Sequence, residues 1–197
     1  MFELQDNALT TPSRVISFLG EDITELNETG NNMLILAINA ASDMIQEYCR
    51  RYFKRDIYTY NTFERLNSLV LPNYPVHKLI SVNGREETGD YYLSKEDGIV
   101  EFRASSRRGL IVYDGGYTLP KDATVDNPIT LPQGLEIACM RLIDSLYVGE
   151  DGFVPSFNTL KLGDFSTGGG STSSTDVQSL LPSEITNTLD LWKDALL

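Results

Sequence analysis

The sequence predicts a mainly α-helical fold, a helical bundle of about four helices with an inserted small antiparallel β unit. Two observations predict it. Apolar residues recur at helical spacing before position 55 and after position 130. The stretch between them is rich in aromatic and β-branched residues and is broken by turn signals, as in short strands.

The 197 residues are long enough for one domain with a sizeable core. We divide this single domain, residues 1–197, into five consecutive segments. They are helices at 10–55, the β insertion at 56–117, a core helix at 131–148, a flexible loop at 149–182 and a C-terminal helical arm at 183–197.

The clearest helical pattern runs from Met33 to Phe53. Its apolar residues alternate steps of four and three, which places them on one face: Leu34, Ile38, Ala41, Ile45, Tyr48 and Tyr52. We expect this face to be buried against the helix at 133–148, which is apolar nearly all round. The outward side is predicted to hold Asn39, Asp43, Gln46, Glu47, Arg50 and Arg51, and Asn31 or Asn32 to cap the helix start.

Thr11 and Pro12 are predicted to open an earlier helix that Gly20 ends, since each is favoured at that position. Strands are predicted at 56–65, 69–72, 73–82, 90–93, 98–102 and 109–117. Turn signals lie at Asn83-Gly84 and Glu96-Asp97-Gly98.

The net negative charge argues against a protein that binds DNA tightly. The net charge is −12, and acids exceed bases everywhere except residues 31–55, which carry +2. A DNA-binding protein needs a basic face. The basic end contains Arg50, Arg51, Lys54 and Arg55, which we interpret as helix-end residues rather than phosphate ligands. No 18-residue apolar run and no signal-peptide pattern is present, so we expect an intracellular protein without a membrane span.

No set of residues with a recognisable chemistry converges in the sequence, so we expect no enzyme, no cofactor and no metal. His77 is the one histidine, and Cys49 and Cys139 are interpreted as buried thiols on separate helices. Gly168-Gly169-Gly170 lacks the lysine of a phosphate-binding loop. The turn acids are interpreted as solvated surface residues: Glu86, Glu87, Asp90, Glu96 and Asp97.

The C-terminal arm is the one candidate partner interface. Its apolar residues are spaced four, three and four: Ile185, Leu189, Trp192 and Leu196. They follow a glycine-rich tether at 166–175, so the helix either folds back on its own bundle or docks on a partner. We favour docking because the tether is longer than folding back requires, with Trp192 as the anchor.

Across roughly residues 9–193 the sequence resembles the head–tail connector (adaptor) proteins of tailed bacteriophages. The resemblance is carried by six segments in order: LTTPSRVISFLG, AINAASDMIQEYCRRYF, LVLPNYPVHKLISV, LIVYDGGYTLP, LPQGLEIACMRLIDSLY, and GDFS before LPSEITNTLDLW. The chain departs from shorter members in its longer β region and in the 149–175 loop. The family has no catalytic residues.

The resemblance implies a structural virion protein at the head–tail junction, assembled in the host cytoplasm. It implies a homo-oligomeric ring of twelve copies beneath the portal protein, with a stopper or tail-terminator protein on the tail side. DNA would pass through the ring without specific binding, and no membrane is involved. The alternatives are a head-completion stopper or tail-terminator protein and, from another class, a small-molecule or nucleotide-handling enzyme.

Overall fold

A computed structural model of the chain describes residues 2–20, 28–86, 91–103, 107–146, 161–162, 165–166 and 181–193. Their contacts divide the chain into two compact units. The helical unit comprises Met1–Arg50 and Leu131–Lys193, and the β unit comprises Arg51–Thr130. The single domain with the segment boundaries given above stays a prediction.

The predicted mainly α-helical fold class is wrong. The chain is 39% helical and 27% strand, with four helices among the described residues, so the fold is mixed α and β. The helical pattern dominated the sequence because a 3.6-residue period repeats visibly over many residues. Short strands carry weaker patterns, yet here they join into sheets with a core of their own.

The helical unit contains α1 (Pro12–Leu19), α2 (Glu28–Cys49), α3 (Gln133–Leu146) and α4 (Ser183–Leu189), followed by a 3₁₀ turn at Asp190–Trp192. α3 contacts each of the other three helices, which explains its all-round apolarity. The predicted packing of the long helix on α3 is therefore confirmed. So are the α1 boundaries, where Thr11 is the N-cap residue and Gly20 takes a left-handed φ of 71°.

Most of the predicted apolar face of α2 is buried. Leu34, Ile38, Ala41, Ile45 and Tyr48 are each at most 7% exposed. The rest of the prediction for α2 needs correction. α2 begins at Glu28, so Asn31 and Asn32 lie inside the helix rather than at its cap. It ends at Cys49 rather than Phe53, and Tyr52 is 58% exposed.

The supposedly outward side of α2 is also partly buried, because the N-terminal segment lies along it. Asn39 Oδ1 accepts a hydrogen bond from the Gln5 N–H at 3.0 Å, and its Nδ2 donates to the Glu3 carbonyl at 2.9 Å. Ser42 Oγ accepts from the Leu9 N–H at 3.0 Å. These bonds fix an extended segment onto a helix, so Asn39 and Gln46 are buried rather than exposed.

The β unit contains nearly all the described strands, close to the predicted positions. They are β1 (Asp56–Leu66), β2 (Ser68–Val70), β3 (Val76–Val82), β4 (Arg85–Glu86), β5 (Tyr91–Ser94), β6 (Ile99–Phe102) and β7 (Arg107–Gly115). They form a four-stranded sheet in the order β1-β7-β3-β4 and a three-stranded sheet in the order β2-β6-β5, with antiparallel pairs throughout.

The two sheets share one hydrophobic core. It includes Leu69 and Val100 from the three-stranded sheet and Leu79, Ile111 and Tyr113 from the four-stranded sheet. The predicted turns are confirmed. Asn83 and Gly84 both have left-handed φ values, 52° and 74°, and Gly98 closes the turn before β6 at 68°.

The predicted loop at 149–182 lies largely outside the described residues. The exceptions within it are a short antiparallel pair, β8 (Lys161–Leu162) with β9 (Phe165–Ser166), and residues 181 and 182. Within the described part of the chain, every helix is too short or too polar to cross a lipid bilayer.

Candidate partner interface

The described part of the C-terminal arm, residues 183–193, lies against the helices of its own unit. Ile185 and Leu189 are 5% and 0% exposed, and α4 contacts both α2 and α3. Trp192 is partly buried, whereas its neighbour Leu191 is 77% exposed. Leu196 lies outside the described residues. The predicted stripe is thus buried at Ile185 and Leu189 and partly buried at Trp192, and the arm also exposes Leu191, which the helical spacing did not single out.

Polar contacts hold the end of the arm to α2. The Tyr48 hydroxyl donates to Asp190 Oδ1 at 2.6 Å, and this hydrogen bond, more than burial, raises the pKa of Tyr48 to about 12. Lys193 Nζ lies 4.5 Å from the centre of the Tyr48 ring, within cation–π range. Tyr48 thus contacts two arm residues, Asp190 and Lys193. The pattern of apolar residues in the sequence could not predict the hydrogen bond that its hydroxyl makes.

Trp192 packs closely over the start of α3. A β-carbon placed on Gly134 would lie 3.1 Å from Trp192 Cη2, which is tighter than most contacts of this kind. The absence of a side chain at Gly134 therefore lets the indole ring approach the α3 backbone. This fit identifies Trp192 as part of the arm's attachment in the structure.

The basic residues at 50–55 differ in exposure and in pairing. Arg50 is exposed and Arg51 is only 3% exposed. Arg55 makes a bidentate ion pair with Asp114, with nitrogen–oxygen distances of 2.9 and 2.7 Å. This pairing lowers the pKa of the Asp114 carboxyl. Their interpretation as residues of the helix end is also wrong for Arg51, Lys54 and Arg55, because α2 ends at Cys49.

Arg51 has a structural role in the β unit. Its guanidinium stacks on the Tyr74 ring at 3.5 Å from the ring centre and donates to the Tyr74 carbonyl, just before the cis Tyr74-Pro75 bond. Phe53 lies on the same guanidinium at 5.0 Å. Among the described residues no hydrogen-bond partner reaches Arg51 Nε or Nη1. Aromatic faces therefore supply much of the stabilisation of this buried cation.

The residues considered as chemical candidates make contacts that are typical of structural residues. His77 Nε2 lies 2.9 Å from the Gly116 carbonyl, a backbone contact within the β unit. Cys49 and Cys139 are buried thiols outside any disulfide, as predicted, and burial raises the pKa of Cys139 to about 12. Asp97 accepts from Ser94 Oγ, and Glu87 and Asp90 lie outside the described residues. Across the residues with described positions, no three metal-binding side chains converge.

The sequence reasoning missed one ion pair in the helical unit, between a buried carboxylate and an exposed arginine. Glu136 on α3 is 2% exposed and binds Arg14 of α1 through both carboxylate oxygens, with 2.8 Å to Arg14 Nη2. Thr10 Oγ1 adds a third hydrogen bond at 3.1 Å. These residues are over 120 positions apart, so no local pattern links them. Because every partner is supplied within the unit, we assign this cluster to holding α1 on α3.

The outward face of the four-stranded sheet carries exposed apolar side chains. Ile57 and Phe63 of β1 are 63% and 86% exposed, and Leu110 of β7 is 44% exposed. They alternate along their strands with inward residues such as Tyr58 and Ile111. Apolar residues grouped on one surface are typical of contact sites between proteins.

Comparison with known proteins gave a match in fold. No protein-family model and no curated protein matches the chain. The chain is similar in structure to a chain of the solved "Neck of empty GTA particle computed with C6 symmetry", at a TM-score of 0.60 and 13% sequence identity. The similarity covers 100% of this chain and 95% of that chain. At this identity the comparison shows a shared fold.

Proposed function

We propose that this protein is a structural component of the neck of a phage-like particle. The observation that carries the proposal is the match in fold to a chain of the GTA neck, which spans the full length of this protein. A gene transfer agent is itself a phage-like particle. The resemblance of the sequence to tailed-phage connector proteins supports the same assignment.

Within the neck, we assign the protein to the adaptor position, in a ring beneath the portal protein that joins head to tail. The six-fold symmetry of the matched assembly supports a ring, and a twelve-membered ring contains a six-fold axis. The choice of adaptor over stopper or tail terminator rests on the sequence motifs. The partners are then the portal protein on one side and a stopper or tail terminator on the other.

The charge supports a passive DNA conduit without catalytic or cofactor chemistry. A net charge of −12 repels the phosphate backbone, so DNA passing through such a ring would not adhere to its wall. His77 contacts a backbone carbonyl, and Cys49 and Cys139 are buried, which supports a structural rather than an enzymatic role for these side chains.

The test is to locate the protein in particles of the phage or agent that encodes it. A chain carrying a small tag should give added density in a ring directly below the portal in electron micrographs of the neck. Deleting the gene should yield DNA-filled heads that lack tails, restored by supplying the protein. Tailed, infectious particles formed without it, or a tag at the distal tail tip, would refute the proposal.

We further propose that the arm docks on the portal or on a neighbouring subunit through Leu191 and Trp192, with Ile185, Leu189 and Leu196 contributing if the arm detaches. Leu191 is already exposed, and Trp192 is partly exposed. Trp192→Ala should weaken association by about 2 kcal/mol or more, since buried aromatic anchors carry a large share of interface energy. Binding to portal-bearing heads measures this loss.

The competing outcome for Trp192→Ala follows from its contact with α3. If the arm serves only the chain's own core, the variant should lose stability as an isolated subunit while binding heads normally. Asn187→Ala is the control, because Asn187 is an exposed residue of the same arm, on α4. It should lower neither quantity.

A further inference from the structure

One edge of the four-stranded sheet is left open among the described residues. β1 is an outer strand and pairs with β7 alone. The strand at the opposite edge is β4, which consists of two exposed charged residues, Arg85 and Glu86. Short charged edges discourage pairing with another chain, and long uncharged edges invite it. Residues 57–63 of β1 have the sequence IYTYNTF, without charge, glycine or proline. The sheet therefore protects one edge and leaves the other available.

Hydrogen bonds show which backbone groups of β1 face this open edge. The Ile57 N–H donates to the Asp56 side chain at 2.7 Å. Leu110, which lies opposite Asn61, donates its N–H to Asn83 Oδ1 at 2.9 Å and accepts the Asn83 N–H at 2.7 Å, on the side away from β1. Antiparallel positions alternate between bonding the partner strand and facing away from it. Ile57, Thr59 and Asn61 therefore direct their backbone groups away from β7.

Side chains at the same positions reinforce the surface. Ile57 and Phe63 are more than half exposed and flank Thr59 and Asn61, which are also exposed. A strand that bonds this edge would bring its own side chains beside Ile57 and Phe63. Backbone pairing and burial of apolar surface would then act together.

The distribution of charge indicates what occupies the edge. Residues 51–130 carry eleven acids and eleven bases, so the β unit is neutral, and the rest of the chain carries 17 acids and five bases. Two copies approaching through their helical units would repel each other. The neutral β unit is where copies can touch at the lowest electrostatic cost, and residues 57–63 of β1, which carry no charge, offer no feature that selects a charged partner.

We propose that β1 of one copy pairs with a strand of a second copy, so that this edge is a subunit contact of the ring. The inference rests on the neck ring proposed above. A ring requires a contact between two different surfaces, so β1 does not meet itself. Among the described strands, β2 and β5 are both uncharged outer strands, and we choose β5 because it is the longer and carries an exposed aromatic side chain. It pairs only with β6, its residues YYLS are uncharged, and Tyr92 is 52% exposed.

Sedimentation of the full chain across a range of concentrations measures how strongly copies assemble. Hydrogen exchange is then compared between the monomer and the assembly. Asn61→Pro removes an N–H that faces the open edge and leaves the bonds to β7, whereas Asn61→Ala keeps that N–H as the matched control. We expect Asn61→Pro to weaken assembly at least about tenfold and Asn61→Ala to assemble as the wild type. Residues 57–63 and 91–94 should exchange at least about tenfold more slowly in the assembly.

A second pair of variants separates edge pairing from misfolding. Ile57→Lys adds a charge at the edge, and Val125→Lys makes the same kind of change at a fully exposed site of the β unit. Ile57→Lys should impair assembly, and Val125→Lys should not. Unchanged assembly of Asn61→Pro, or unchanged exchange in either segment, would overturn the contact while leaving the neck function intact. A wild-type chain that forms no ring, either in solution or when mixed with portal-bearing heads, would overturn both proposals.

Discussion

At the scale of single residues, backbone conformation at the end of α2 is under strain. Arg50 follows Cys49 directly and has a φ of 55°, in the left-handed region that an L-residue with a side chain adopts at a cost. Glycine is the usual residue where a helix ends in this conformation, and Gly20 occupies that position after α1. At Arg50 the chain keeps an exposed cation where glycine would relieve the strain.

We predict that Arg50→Gly raises the free energy of unfolding by about 0.5 kcal/mol, because relief of the left-handed strain exceeds the added entropy of the unfolded chain. Arg50→Ala is the control, since it removes the charge and keeps the side-chain strain. Denaturant unfolding of both variants measures the difference. Equal gains in the two would show that charge, rather than backbone strain, is responsible.

At the scale of elements, the arm is held at a point whose strength depends on pH. The hydrogen bond from Tyr48 to Asp190 raises the pKa of Tyr48 from 10.0 to about 12. A group whose pKa is raised on folding contributes stability that is complete below its unfolded pKa. That contribution is lost as the pH rises through the folded value, here between about 10 and 12.

We predict that Tyr48→Phe weakens attachment of the arm by about 1 kcal/mol at neutral pH, the usual net value of a side-chain hydrogen bond. The variant should also lose the wild-type release of the arm between about pH 10 and 12. Trp192 is the single tryptophan, so its fluorescence reports the arm directly. Tyr52→Phe, at an exposed tyrosine, should behave as the wild type. Identical pH profiles for Tyr48→Phe and the wild type would contradict this role.

At the scale of the whole molecule, charge is distributed unevenly, with the entire net −12 outside residues 51–130. Such a distribution raises the cost of bringing copies together and of bringing DNA close. At an ionic strength of about 0.1 M, salt largely screens the repulsion between exposed charges that are more than about 10 Å apart. Assembly of this protein should therefore strengthen as salt is added, the reverse of the behaviour of a protein that binds DNA through basic residues.

We predict weak binding to duplex DNA at physiological salt, with a small salt dependence, because the net charge is −12 and two of the four basic residues at 50–55 are not available to phosphates. Arg51 is buried and Arg55 is paired with Asp114. A titration of labelled duplex at several salt concentrations measures both quantities. A tight affinity that falls steeply with salt would mean that several phosphates are neutralised, against this prediction.

The sequence by itself determined the features that depend on neighbours along the chain. Thr11, Pro12 and Gly20 predict the bounds of α1, and Asn83-Gly84 predicts its turn, because capping and left-handed turns are decided by a few adjacent residues. The spacing of Ile185 and Leu189 likewise predicts an apolar face on the arm, which is buried in the structure.

Only the tertiary structure decided the features that depend on distant contacts. Asn39 is buried because the N-terminal segment bonds to it, and Glu136 is buried because Arg14 and Thr10 reach it from over 120 residues away. The open edge of β1 is visible only once strand order is known, since β7 rather than β2 is its neighbour. These outcomes follow from pairings between segments far apart in sequence, whose energies no local period records.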